Sequence, residues 1–148
     1  MTYSRLTFAA ITCAALVAGC SDLGSKPGER VRGPALLVHY GDTGTVTLPS
    51  SARVGVPVEI SVTSFGGGCI TKGETDVKVT GLLAEVRPYR HEMVRLRPNT
   101  ACTSELRIFH HVVQVQFETP GDADVRVFGV TRPGDQAYMV ARTLSVLP

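Results

Sequence analysis

Apolar and polar positions alternate along most of this chain. After Gly33 the period is two, the mark of strands with one buried face, and turn residues separate the runs. Ala35 to Tyr40 predicts a first strand, Gly41-Asp42-Thr43-Gly44 a turn, and Thr45 to Leu48 a second strand with Val46 and Leu48 on one face. Arg53 to Pro57 reads as a connector. Val58, Ile60 and Val62 then point one way while Glu59, Ser61 and Thr63 point the other, and Gly66-Gly67-Gly68 ends that run at Cys69. Val77 and Val79 alternate with Lys78. Leu82 to Tyr89 alternates less cleanly and contains Pro88, which cannot donate to a ladder, so it is expected at a sheet edge or as irregular chain. Val94 and Leu96 alternate with Arg95 and Arg97.

The clearest hairpin signal follows. Val113, Val115 and Phe117 alternate with Gln114, Gln116 and Glu118, Thr119 to Ala123 turns, and Val125 and Val127 return. A second turn, Arg132-Pro133-Gly134-Asp135-Gln136, leads to a last strand from Ala137 to Val146. In both turns Pro presets φ and the following Gly accepts φ > 0. No segment carries a helical stripe. About seven to nine short strands in about 115 residues predict an all-β fold, an antiparallel β-sandwich forming one domain over 34–148.

The phrase Phe117-Glu118-Thr119-Pro120-Gly121-Asp122-Ala123-Asp124-Val125-Arg126-Val127 resembles the late hairpin of bacterial immunoglobulin-like domains. That resemblance implies an immunoglobulin-like sandwich. The chain departs from antibody-type domains, because it has no Trp and Cys69 follows a glycine run instead of lying mid-strand. A disulfide from Cys69 is therefore expected at one rim, not through the core between sheets.

The N-terminus has the layout of an export signal. Arg5 is the only charge in the first twenty residues, and Leu6 to Val17 is apolar apart from Thr7 and Thr12. This stretch is shorter than the roughly 20 residues a membrane span needs. It ends in Leu16-Val17-Ala18-Gly19-Cys20, which resembles a bacterial lipobox. The resemblance implies a lipoprotein: residues 1–19 are removed as signal peptide, and Cys20 carries a diacylglycerol thioether and an acylated amine. Two or three acyl chains are enough for stable anchoring. Ser21 follows, and Asp22 sits one place beyond the position where Asp marks inner-membrane retention. The outer membrane of the bacterial envelope, on its periplasmic side, is thus the expected address. An ordinary cleaved signal is the other reading. From Cys20 to Gly33 the chain reads as lipidated end and flexible tether, with a reach of roughly 20 Å.

Removing 19 of 148 residues leaves 129, the length of one domain. Without Arg5 the basic residues number 14 against 13 acidic, which leaves no field for nucleic acid. Arginine outnumbers lysine twelve to three, as either a basic binding surface or a GC-rich genome would produce. Of the four cysteines, Cys13 leaves with the signal and Cys20 takes lipid. Cys69 and Cys102 can pair in one way only, and the oxidising envelope favours a disulfide over two free thiols. The bridge would close a loop of roughly 34 residues, for which chain entropy gives about 4 kcal/mol. Neither cysteine lies in a CxxC, so no zinc site is expected.

Three candidate sites stand beside bland alternatives. The first is the rim, residues 65–72 and 97–104, where Gly66, Gly67 and Gly68 would let a ligand approach the backbone closely. On that reading a bulky residue at Gly67 or Gly68 removes binding and barely alters melting. The alternative is a long strand connection that needs a staple. The second is a basic strip over 85–97, where Arg87, Arg95 and Arg97 could meet an anionic partner. Its alternative is a solvated face that protects an edge. The third is histidine, but His110 and His111 are adjacent and face opposite ways in a strand, and no metal-ligand spacing is present. No HExxH, GxSxG, P-loop or dinucleotide fingerprint occurs. The sequence reads as a non-enzymatic, lipid-anchored envelope module without a cofactor. It would bind another envelope protein or serve a structural role. The alternative is a ligand-binding or inhibitor module that uses the rim.

Overall fold

The computed structural model describes residues 28–94 and 101–148, so the run resembling a lipobox up to Cys20, Arg95, Arg97 and the part of the expected rim at 97–100 lie outside the described residues. Among the described residues there are eleven strands and no helix. They are β1 (Arg30–Pro34), β2 (Leu36–His39), β3 (Asp42–Thr43), β4 (Val46–Thr47), β5 (Ser51–Arg53), β6 (Val58–Gly66), β7 (Ile70–Thr80), β8 (Leu83–Met93), β9 (Arg107–Val115), β10 (Gly121–Arg132) and β11 (Ala137–Leu147). The fold is all-β, and several strands beyond the expected number are two- or three-residue ladders.

One sheet curls until its two halves face each other. In the first half β7 pairs β8, β8 pairs β10, β10 pairs β11 and β11 pairs β5. In the second, β9 and β4 flank β6. The halves join where β2 runs beside β10, from Leu36↔Val130 to His39↔Arg132. Between them lies the main core. Val58, Ile60, Val62, Val115 and Phe117 meet Ala84, Val86, Val125, Val127, Leu144 and Val146. Each fully buried side chain of this size contributes about 1.5–3 kcal/mol relative to exposure. A smaller cluster of Leu36, Phe65, Ile70 and Val130 fills one end.

Several expectations change here. The sheet is mixed: β10 runs parallel to β8 and to β2, and β11 parallel to β5. Such pairs require long crossovers, which residues 94–120 supply between β8 and β10. The Val113–Phe117 and Val125–Val127 runs do not form a hairpin. β9 pairs β6 along its whole length while β10 pairs β11, so Thr119-Pro120 crosses from one layer to the other. Alternating valines suit either partner, which is why local pattern could not choose. The second expected hairpin is present, with Val130 opposite Ala137 and the Thr131 amide donating to the Gln136 carbonyl.

Pro88 does not lie at an edge. It is fully buried in β8, which has strands on both sides. β8 stops pairing with β10 at Val86↔Val127 and starts pairing with β1 at Tyr89↔Pro34. The Pro88 carbonyl accepts from the Ala35 amide in that gap. Its missing N–H faces the change of neighbours, where no ladder acceptor is left wanting. The chain assigned as tether up to Gly33 also enters the fold early, because Arg30 already opposes Met93 in β1.

Candidate functional site

Cys69 and Cys102 are bonded, with Cα atoms 5.1 Å apart. Cys69 sits in the turn between β6 and β7, closed by the Ile70 amide donating to the Gly67 carbonyl. The bridge therefore ties strand ends at one rim and pins the segment that leads into β9.

The three glycines are explained by that segment. A Cβ on Gly67 would stand 1.7 Å from the Glu105 carbonyl oxygen, and one on Gly68 would stand 2.5 Å from that of Thr103. One on Gly66 would fall 2.2 Å from the Phe109 ring. Gly67 also has φ 135°. The close approach is made by the chain's own backbone at Gly67 and Gly68 and by its own aromatic ring at Gly66, so a bulky residue at Gly67 must disturb the fold, contrary to the expectation from sequence.

Next to this contact a cavity of about 320 Å³ opens between both rim segments. Leu36, Ile70 and Leu106 give it an apolar lining, Ser104 and Glu105 border it from the disulfide-pinned segment, and His39, Tyr40 and Arg132 border it from two turns. Arg107 holds the Glu105 carboxyl below the usual carboxylate range by a two-toothed hydrogen bond at 2.8 and 3.0 Å. Behind the cavity Glu92 accepts from Arg132 at 3.5 Å and is ion-paired with Arg90 at 3.0 Å, and Asp135 accepts from Arg90 at 3.1 Å. Two guanidiniums and two carboxylates balance in charge, and the buried Arg90 joins this network through Nη2, while its Nε and Nη1 have no hydrogen-bond partner among the described residues.

Tyr40 is the residue that sequence reasoning missed. It is 70% exposed with φ 49°, and Gly41 follows at φ 101°. With Val38 opposite Thr43 and His39 opposite Asp42, these two residues make a type I′ hairpin turn. Asn, Asp or Gly normally fills its first position, because a left-handed backbone is strained for an aromatic residue. The turn is fixed by the Tyr40 amide donating to the Arg132 carbonyl at 2.8 Å, and the ring stands edge-on to His39 with centroids 4.8 Å apart. The sequence signal was Tyr-Gly between two period-two runs, read instead as the end of a strand.

The arginine strip is divided by the pleat. Arg87 is on the outer face of β8, 3.3 Å from Glu85 and 4.5 Å above the Phe128 ring, while Arg90 points inward. Arg87 borders a second, shallower groove of about 400 Å³ with Tyr89, Phe128 and Met139, formed where β8 and β10 part. Beside it Arg32 lies 3.3 Å above the Tyr89 ring and is paired with Glu74 and Asp76.

His111 is 1% exposed, between the Ser64 hydroxyl at Nε2 and the Thr75 hydroxyl at Nδ1, each 2.9 Å away. Burial foremost, then the charges of Lys72 and His110, pushes its pKa down to about 4. It links β6, β7 and β9 as a neutral ring. Among the described residues no group of three His, Cys, Asp or Glu is placed to hold a metal ion. Compared with protein-family models, curated proteins and solved structures, the chain matches none.

Proposed function

We propose that this protein is a lipid-anchored, non-catalytic binding module of the bacterial envelope whose rim cavity receives part of another envelope protein. The lipobox resemblance at Cys20 supports the anchor. The scaffold, read as an immunoglobulin-like sandwich, holds loops rigidly at one end. Tyr40 carries the reading. An aromatic side chain kept exposed on a strained turn, beside an arginine and over an apolar cavity, has the composition of a binding hot spot.

The test separates binding from folding. Tyr40→Asn relieves the backbone strain and should raise stability by about 1 kcal/mol, a melting shift of roughly 4 °C. The same variant should lose most crosslinking to its neighbour when the full chain is treated in its own membranes. Unchanged crosslinking removes Tyr40 from the site. In parallel, Cys20→Ser should release the protein from membranes, and retention would sink the anchor.

A further inference from the structure

We infer that β9 is a self-association edge, and that two copies of this chain pair β9 to β9, antiparallel, about a two-fold axis at His110. β9 bonds to β6 from Val58↔Val115 to Gly66↔Arg107, and among the described residues no strand bonds its other side. Which groups face that free side follows from the ladder. The Thr63 amide donates to the Thr45 carbonyl, so the backbone groups of Thr63 turn toward β4 and away from β9. Thr63 opposes His110, which makes this a non-hydrogen-bonded pair on the β6 side. His110 therefore turns its own N–H and C=O to the open edge. By the two-residue alternation Ile108, Val112 and Gln114 do the same.

The side chains at these positions lie on the outer face. Ile108 is 58% exposed and Val112 55% exposed, high values for β-branched residues on an open strand. From Ile108 to Gln114 there is no Lys, Arg, Asp, Glu or Pro to deter pairing. A strand that presents outward groups only at even positions pairs with itself in few registers. Centring on His110 places Ile108 of one copy opposite Val112 of the other, on both sides of the axis. Moving the axis to position 111 sets Ile108 against Gln114 and Val112 against His110, and loses both apolar pairs. The two-fold at His110 thus matches backbone donors, backbone acceptors and apolar side chains together, and the ionisable side chains it sets directly opposite one another within β9 are the two His110 imidazoles. The other long edge, β7, does not offer this. It carries Lys72, Glu74, Asp76 and Lys78 and is bulged between Lys72 and Thr75.

A single strand pair is a small interface beside the usual 1,600 Å² or so, and the expected dimer dissociates in the micromolar range. The experiment uses the full chain in detergent. Sedimentation should show a monomer–dimer equilibrium, and Val112→Lys, at an exposed site, should weaken it at least tenfold with unchanged melting. His110→Cys brings two thiols to a hydrogen-bonded antiparallel pair, whose Cα spacing of about 5.5 Å suits a disulfide. Oxidation should crosslink it at yields well above both the parent protein and Gln114→Cys, which faces Leu106 in this register. A monomer at all concentrations up to about 500 μM overturns the proposal. So does equal crosslinking at both cysteine positions. Self-crosslinking at parent level, with Val112→Lys losing capture of a different protein, assigns the edge to a foreign strand and also overturns it.

Discussion

Among the described residues β7 and β9 are the long open edges of the two halves, and they handle exposure in opposite ways. β7 has charged side chains at alternate positions and a bulge, two devices that discourage strand addition. β9 has bare β-branched residues and unbroken geometry, and it shares its anchors with β7. Its leading segment lies against Gly67, the disulfide pins that segment, and His111 bonds to both β6 and β7. The same bridge and the same histidine also hold the start of β7, so the two edges differ in what they present to a partner and not in how firmly they are tied.

Three changes bear on this contrast. The largest effect is expected from Gly67→Leu, which drives a side chain into the Glu105 carbonyl at a positive φ and should cost about 4 kcal/mol or more, read by chemical denaturation. Near-native stability would mean that the segment ahead of β9 is not held there. His111→Ala comes next, at about 3 kcal/mol, because it strands the buried Ser64 hydroxyl and the half-buried Thr75 hydroxyl and leaves a cavity. The same residue sets a pH dependence. Unfolded histidine titrates near 6.5 and folded His111 near 4, so its contribution is complete above pH 6.5 and is lost as pH falls to about 4, up to about 3 kcal/mol. His111→Ala should flatten the stability profile in that window, and an unaltered slope would assign the pH dependence to other groups. The smallest effect concerns β7. Asp76→Val with Lys78→Val should leave unfolding free energy within about 1 kcal/mol of the parent, but add a second, slower mode of association seen by light scattering. If the double variant stays as soluble as the parent, the charges are not what guards that edge.

Much of the fold was legible because strand physics is local. Period-two valines marked β6 and the inward face of β10, Pro-Gly chemistry marked the β10–β11 turn, and the expectation of an exported chain with one possible pair pointed to Cys69–Cys102. The failures share one cause. Val113 to Phe117 alternates equally well beside β10 or β6, and only the assembled core selects β6. Pro88 looks like an edge residue until the switch from β10 to β1 removes the need for its donor.

The candidate site was half legible. Both rim segments were named, since a glycine run and a cysteine carry their constraints in their own chemistry. The cavity between them also needs His39, Tyr40 and Arg132, which arrive from separate turns, and that meeting is a property of topology. By itself the sequence determined the strand period, the Pro-Gly turn between β10 and β11 and the bridge, because the first two depend on side-chain alternation and φ preference within a few residues and the third on one possible pair of cysteines once Cys13 and Cys20 are set aside. The tertiary structure decided which strands are neighbours, which edge stays open and which side chains gather at the rim. Those outcomes depend on packing between residues far apart in the chain, where many pairings satisfy the same local pattern and only one fills the core.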